Sequence, residues 1–360
     1  FHRAIDSSCN VVMGSSLVTD ITRGGTPTAD TTSSDADILS TNYAAVGDID
    51  GHGTHVAGII GAVGDNSLGV AGVNWNVKII PVGVFTQGHH TLPGNILPTD
   101  SGAMNYDSDL IAGFDYVVGL KKTYGLKITA INISIGDWMK KDEYNFDQDT
   151  NPVAQAIKAA SDAGIIVCIA AGNEYQDIDS PGVSKNGSDY TDYFEYPATF
   201  RFANTLSVGA STSADQKASF SNYSASGKWV DIFAPGAQIM SAVPHYCMLG
   251  GTRTYSRSGC ASFSGTSMAA PMVAGTAALL TACYPNKTAE EIKAMIVNGA
   301  ESDVLKNGCS KYGLINVWNS YQLGGGISDS GSGGCSAGFG ALALMLALPL
   351  VIFKRKKKKH

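Results

Sequence analysis

The chain has 360 residues, 44% hydrophobic and 16% charged, with 42 glycines; this composition supplies a large core and excludes a disordered or fibrous chain. The net charge is −6, but six of the 25 Lys and Arg residues fall in the last seven positions, which leaves 19 basic against 31 acidic groups elsewhere. An acidic body of this kind argues against nucleic acid as a partner.

Residues 1–22 read as one or two short strands, with apolar residues on both sides of Asp6 in AIDSSCNVVMG. The chain starts at Phe1 with no signal peptide ahead of it, the mark of a fragment or processed form. Residues 23–47 are rich in Thr, Ser, Asp and Gly and read as a surface excursion. A helix of small residues is expected over 52–62 and a buried strand over 78–85. Residues 86–106 form a Gly/Pro/Asn loop. An amphipathic helix is expected over 109–122, with Leu110, Phe114, Val117 and Val118 at helical spacing.

KITAINISIG is a strand ending at Gly136, 152–163 a helix, GIIVCIAAGN a strand and TLSVGAST another. From Ser267 an Ala-rich helix runs to about residue 281, with Pro271 placed in its first turn, where a missing N–H does little harm. Thr288 caps a further helix, with Glu291 at the capping-box position. Strands alternating with helices predict an α/β fold, a three-layer parallel sheet with helices on both faces. Sites in such sheets lie beyond the C-terminal strand ends, and Asp6, Gly136, Asn173 and Ser267 fall at strand exits or helix starts.

The character changes near residue 323. Residues 323–335 read as a Gly/Ser linker, 336–353 as a transmembrane or sorting helix, and 354–360 as a basic cytoplasmic tail. The body, residues 1–322, then lies outside the cell. Cys335 ahead of the apolar run resembles the Gly-Gly-Cys sorting signals of Gram-negative bacteria, which implies either anchoring or release by cleavage there. The seven cysteines form no CxxC motif. Cys247 with Cys260, and less simply Cys283 with Cys309, have spacings that allow disulfides, while Cys168 reads as inert core.

Ser267 in SFSGTSMAAPMVAG stands at the mouth of an apolar helix, whose free N–H groups favour a developing anion. The same pattern also suits an ordinary helix cap. A serine nucleophile needs a base, a group that orients the base, and oxyanion donors. His52 in GHGTHVAG is flanked by Gly51 and Gly53; His55 follows three residues later. This spacing lacks the Glu and the four-residue interval of a zinc protease motif. Asn173 at the tip of AAGN is placed to donate to an oxyanion.

Taken in order, DGHGTHVAG, AAGNE and SGTSMAAPMVAG resemble the three signature blocks of the subtilisin-like serine proteases. NSLGVAGV, NISIG, EYPA and ASFSNYS with VDIFAPG extend the resemblance over about residues 4–320. It implies a serine endopeptidase acting through an acyl-enzyme, with His52 as general base, Ser267 as nucleophile and Asn173 as oxyanion donor. The family places its acid in DSG or DTG at the end of the first strand; AIDSS gives Asp6, with Ser8 where Gly is usual, and Asp20 is the other candidate. Asp48 and Asp50 read as loop carboxylates.

Ser134, Ile135 and Gly136, with the strand edge near 105–107, are implied to bind an extended substrate as an added strand. Calcium, as a structural ion, is implied at the loop GDNSLGV through Asn66, Leu68 and Val70. Asp107 and Asp137 lead us to expect a preference for positively charged residues near the site. The partners implied are protein or peptide substrates and a membrane reached through the C-terminal helix. The competing reading is a catalytically impaired, protease-like binding module on the cell surface.

Overall fold

In the computed structural model of the protein, the apolar runs between the helices form seven parallel strands. They are β1 (Asn10–Ser15), β2 (Lys78–Val82), β3 (Lys127–Ile133), β4 (Ile166–Ala170), β5 (Thr205–Ser211), β6 (Ile232–Pro235) and β7 (Gly313–Leu314). The sheet order is β7-β6-β5-β4-β3-β1-β2, with every neighbouring pair parallel. The structure describes residues 10–15, 48, 51–84, 107–184, 187–244, 246–249, 252–255, 258–305 and 308–325. The chain divides into two units, residues 1–324 and 325–360. Asp6, Asp20, Asp50, the loop 86–106 and the apolar and basic segments after residue 325 lie outside the described residues.

β4 and β5 are buried along their whole length, and β3 at all but its first residue. Such strands need cover on both faces. One face carries α2 (Asp107–Tyr124) and α3 (Pro152–Asp162), whose Leu110, Phe114, Val117, Val153 and Ile157 pack with Ile131, Ile133, Val167 and Ile169. Strand residues alternate in direction, so Ala130, Asn132, Ile166 and Cys168 face the other way. There α4 (Thr266–Cys283) lies across β1, β3, β4, β5 and β6 and against α1 (His52–Gly61). By length and composition α4 is apolar enough to cross a membrane, but it is a buried core helix. α5 (Ala289–Asn298) and α6 (Val317–Leu323) complete the described helices.

Local chemistry sets the helix starts. The Asn151 side chain accepts from Ala154 N at 2.8 Å ahead of Pro152, the first residue of α3. Thr288 and Glu291 form the expected capping box of α5. Asp48 is more than a loop carboxylate: its two oxygens accept from Gly51 N at 2.8 Å and Thr54 N at 2.7 Å, so it closes the N-terminus of α1.

Several expectations are corrected. Asp107 begins a helix and does not belong to a strand edge. Pro271 sits in the second turn of α4, not the first, because the helix starts at Thr266. Three antiparallel pairs arise among the described residues where the sequence shows no clear period: Asp137–Lys140 with Tyr193–Tyr196, Ile239–Ala242 with Cys260–Phe263, and Tyr246–Leu249 with Thr252–Tyr255. Cys168 is a fully buried free thiol that burial pushes far up in pKa. Cys309 is also a free thiol, so no bridge joins it to Cys283; the Cys247 side chain lies outside the described residues.

Candidate active site

His52 is the first residue of α1, half-buried, and follows Gly51 at φ 90°, a backbone region that glycine enters without strain. His55, one turn on, has a different environment. It is 0% exposed, and its Nε2 lies 3.0 Å from Ile239 O and 3.1 Å from Ala261 O. Two carbonyls can only accept, so Nε2 carries the proton. The ring stacks on Phe263 at 4.3 Å. Burial lowers its pKa from 6.5 to about 4, so it is neutral near pH 7. His55 is thus a core residue committed to the strand pair 239–263. Among the described residues no three His, Cys, Asp or Glu side chains converge on a metal position.

Ser267 is the second residue of α4, and its amide N–H, in the first turn, has no intrahelical acceptor. Its Oγ donates to Ser134 O at 3.2 Å. The return contact runs from Ser134 Oγ to Ser267 O at 2.8 Å. That second bond follows from Pro271. A helix carbonyl is normally met by the N–H four residues on, and proline has none. Ser134, 3% exposed and receiving a bond from Asn132 Nδ2 at 2.9 Å, supplies the missing donor. The segment 134–136, just past the end of β3, is therefore tied to the serine by both its carbonyl and its hydroxyl.

Asn173 follows Gly172, beyond the end of β4. Its Oδ1 accepts from Thr266 N at 2.8 Å and Thr266 Oγ1 at 3.1 Å. Thr266 is itself 0% exposed and also receives Gly172 N at 3.1 Å. With the carbonyl side of the amide pinned, the Nδ2 donor is turned outward. It makes no hydrogen bond among the described residues.

Asn222, 0% exposed, fixes the loop behind. Its Oδ1 accepts from Glu174 N and Gln176 N, and its Nδ2 donates to Ala171 O at 2.9 Å and Glu174 Oε2 at 2.7 Å. The sequence reading names neither the clamp on Thr266 nor the role of Asn222. Asn222 does lie in the quoted ASFSNYS stretch, and a polar residue inside an otherwise apolar and small-residue run is the signal that marks it.

The helices that begin near His52 and Ser267 are in contact. A Cβ on Gly275 would lie 3.3 Å from Ile60 O, so α1 and α4 touch there. His52 and Ser267 each stand eight positions before that contact, 52 to 60 and 267 to 275. Asp107 is committed elsewhere, accepting from Tyr144 and Tyr196 hydroxyls at 2.7 Å each. In the loop 65–70, Asn66 Oδ1 accepts from Leu68 N at 3.0 Å.

A family model described as the subtilase family matches residues 20–341, a span that begins after Asp6. The chain is 32% identical over 273 residues to subtilisin DY of Bacillus licheniformis, covering 75% of this chain and 77% of that protein. It is 33% identical over 260 residues to an extracellular serine proteinase of a Thermus species, covering 72% of this chain and 48% of that protein. The chain spans about half the length, 44% to 48%, of the first curated relatives it matches. Among solved structures, the prenylagaramide maturation protease PagA superposes with a TM-score of 0.59 at 20% identity, covering 89% of this chain and 95% of that one; this likeness is one of fold.

Proposed function

The chain belongs to the subtilase family, and on that premise we propose that it is a serine endopeptidase whose nucleophile is Ser267, general base His52 and oxyanion donor Asn173. The observation that carries this reading is the pinned Asn173 amide. Thr266 holds its oxygen, so its N–H group faces outward next to the helix start that bears Ser267.

In the proposed reaction His52 takes the proton from Ser267 Oγ as the oxygen attacks the scissile carbonyl. Asn173 Nδ2–H and the Ser267 amide N–H hold the tetrahedral oxyanion. His52 then returns the proton to the departing amine, leaving an acyl-enzyme. Water activated by His52 releases the acid and restores Ser267. The substrate lies along 134–136 as an added strand.

Asp6 enters as the acid to be tested, since β1 begins after it and the family match begins later still. Asp6→Asn should lower kcat by about 10⁴-fold if Asp6 orients His52; an unchanged kcat removes it. Calcium at the loop 65–70 is proposed only as completed by further oxygens. Asn66 Oδ1 and the Leu68 and Val70 carbonyls supply three of the roughly six to eight such an ion takes. The names of the Thermus and Xanthomonas campestris relatives, both extracellular, support an extracellular or cell-surface location, with residues 336–353 as a membrane anchor or release signal.

A fluorophosphonate probe tests the central claim. Labelling of the wild type but not of Ser267→Ala supports it, and no labelling of the folded wild type overturns it. The second reading, a protease-like binding module, is favoured by a family match that begins at residue 20, after Asp6, and the unlabelled outcome would select it.

A further inference from the structure

Beside the nucleophile, a buried carboxylate without a cation partner remains unexplained by the chemistry above. Glu195 is 1% exposed and pairs across from Trp138 in the strand pair of Asp137–Lys140 with Tyr193–Tyr196. Its carboxylate sits between two glycines. A Cβ on Gly136 would come within 2.8 Å of Glu195 Oε1, and one on Gly172 within 2.8 Å of Glu195 Cδ. Gly136 ends the segment whose Ser134 touches Ser267, and Gly172 precedes Asn173. The Glu195 carboxylate therefore closes the space between the two segments that flank Ser267.

The groups around it leave it electrically unmatched. Glu174 Oε2 is well held, accepting from Trp138 Nε1 at 2.9 Å, Asn173 N at 2.8 Å and Asn222 Nδ2 at 2.7 Å. Asp137 Oδ1 accepts from Trp138 N at 2.7 Å. Glu195 has a single long contact, Asn222 Nδ2 to Oε2 at 3.3 Å, and among the described residues nothing donates to Oε1. Among the described residues no Lys or Arg pairs with Glu174, Asp137 or Glu195. Burial, with the negative charge of Glu174 and Asp137 added, pushes the Glu195 carboxyl well above the usual range. A buried acid of this kind is relieved by an incoming cation.

We propose that Glu195 selects a Lys or Arg side chain on the residue whose carbonyl Ser267 attacks. That residue must place its oxygen at Asn173 and its backbone along 134–136. Its side chain then approaches between the segments that carry Gly136 and Gly172, toward the Glu195 carboxylate that lies against both glycines. The sequence-based preference for positive charge is retained, but its seat moves. Asp107, one of the two residues first invoked, is already taken by two tyrosine hydroxyls. This proposal rests on the reading of Ser267 as nucleophile.

The test uses tetrapeptide anilides that differ only at the residue before the cleaved bond: Arg, Lys, citrulline and Leu. Citrulline keeps the shape of Arg and removes its charge. A site built to pair a buried charge should favour Arg over citrulline by about 100-fold or more in kcat/KM. Glu195→Gln should reduce that ratio below about tenfold. A wild-type ratio near one, which needs no variant, overturns the proposal; so does a ratio that survives in folded Glu195→Gln. A second readout is independent of catalysis. Binding of p-aminobenzamidine to Ser267→Ala protein should weaken at least tenfold when Glu195→Gln is added, and equal binding overturns the proposal. If the wild type fails to react with fluorophosphonate, the nucleophile reading falls, while the amidine measurement still decides on Glu195.

Discussion

Replacing Ser134 by alanine isolates the coupling between Pro271 and Ser267. The Ser267 carbonyl lacks its helical donor because residue 271 is proline, and Ser134 Oγ fills the place at 2.8 Å. In Ser134→Ala that carbonyl, on the half-buried Ser267, and the Asn132 Nδ2 group, on a residue 1% exposed, both lose their partner. A buried polar group left without a partner costs about 1–3 kcal/mol. Pro271→Ala restores an N–H four residues beyond Ser267, in line with its carbonyl. The serine should then matter less.

We expect Ser134→Ala to be less damaging in the Pro271→Ala background by about 1 kcal/mol, a coupling well above the ~0.3–0.5 kcal/mol seen for independent sites. Urea midpoints of the four combinations provide the assay, all carrying Ser267→Ala, which keeps the backbone carbonyl and prevents self-cleavage. Strict additivity would refute the account, because it would mean that Ser134 and the missing proline N–H do not serve the same carbonyl.

Two further outcomes follow from the site. Asn173→Ala should lower kcat about 100- to 1000-fold with little change in KM, since its amide acts on the oxyanion and not on the bound ground state; steady-state kinetics on one anilide decide this, and a KM effect alone would contradict it. His55 gives a pH dependence whose sign is set by its lowered pKa. The folded state binds the proton less readily than the unfolded chain, so stability from this group is complete above about pH 6.5 and is lost as pH falls toward about 4. The drop from 6.5 to about 4 corresponds to at most about 3.4 kcal/mol. His55→Gln should flatten the melting temperature of Ser267→Ala protein across that window; an unchanged slope would show that other groups govern it.

What could be read from the sequence follows from how each feature is encoded. The strands under α2, α3 and α4 are runs such as IIVCIA, and the start of α5 is written in Thr288 and Glu291, so local composition carries them. Ser267, His52 and Asn173 can be singled out as candidates because each lies in a compact motif. Pro271 was misplaced by one turn because Gly265 and Thr266, not Ser267, begin α4. Glu195 went unremarked inside EYPA. Its meaning depends on Gly136, Gly172 and Asn222, which come from distant parts of the chain and meet only after folding.

The position of α4 has a consequence for synthesis. This helix touches five strands of the sheet, yet every one of those strands precedes it in the chain. At roughly 5–20 residues per second on the ribosome, β1 waits on the order of tens of seconds before the helix that covers it exists. Through that interval α1 alone among the described helices can lie on that face of the sheet, and the part that α4 covers stays exposed to association with neighbouring chains. Under the function proposed above, the same delay keeps the growing polypeptide silent as a protease, because Ser267 arrives on a helix made after all five of those strands.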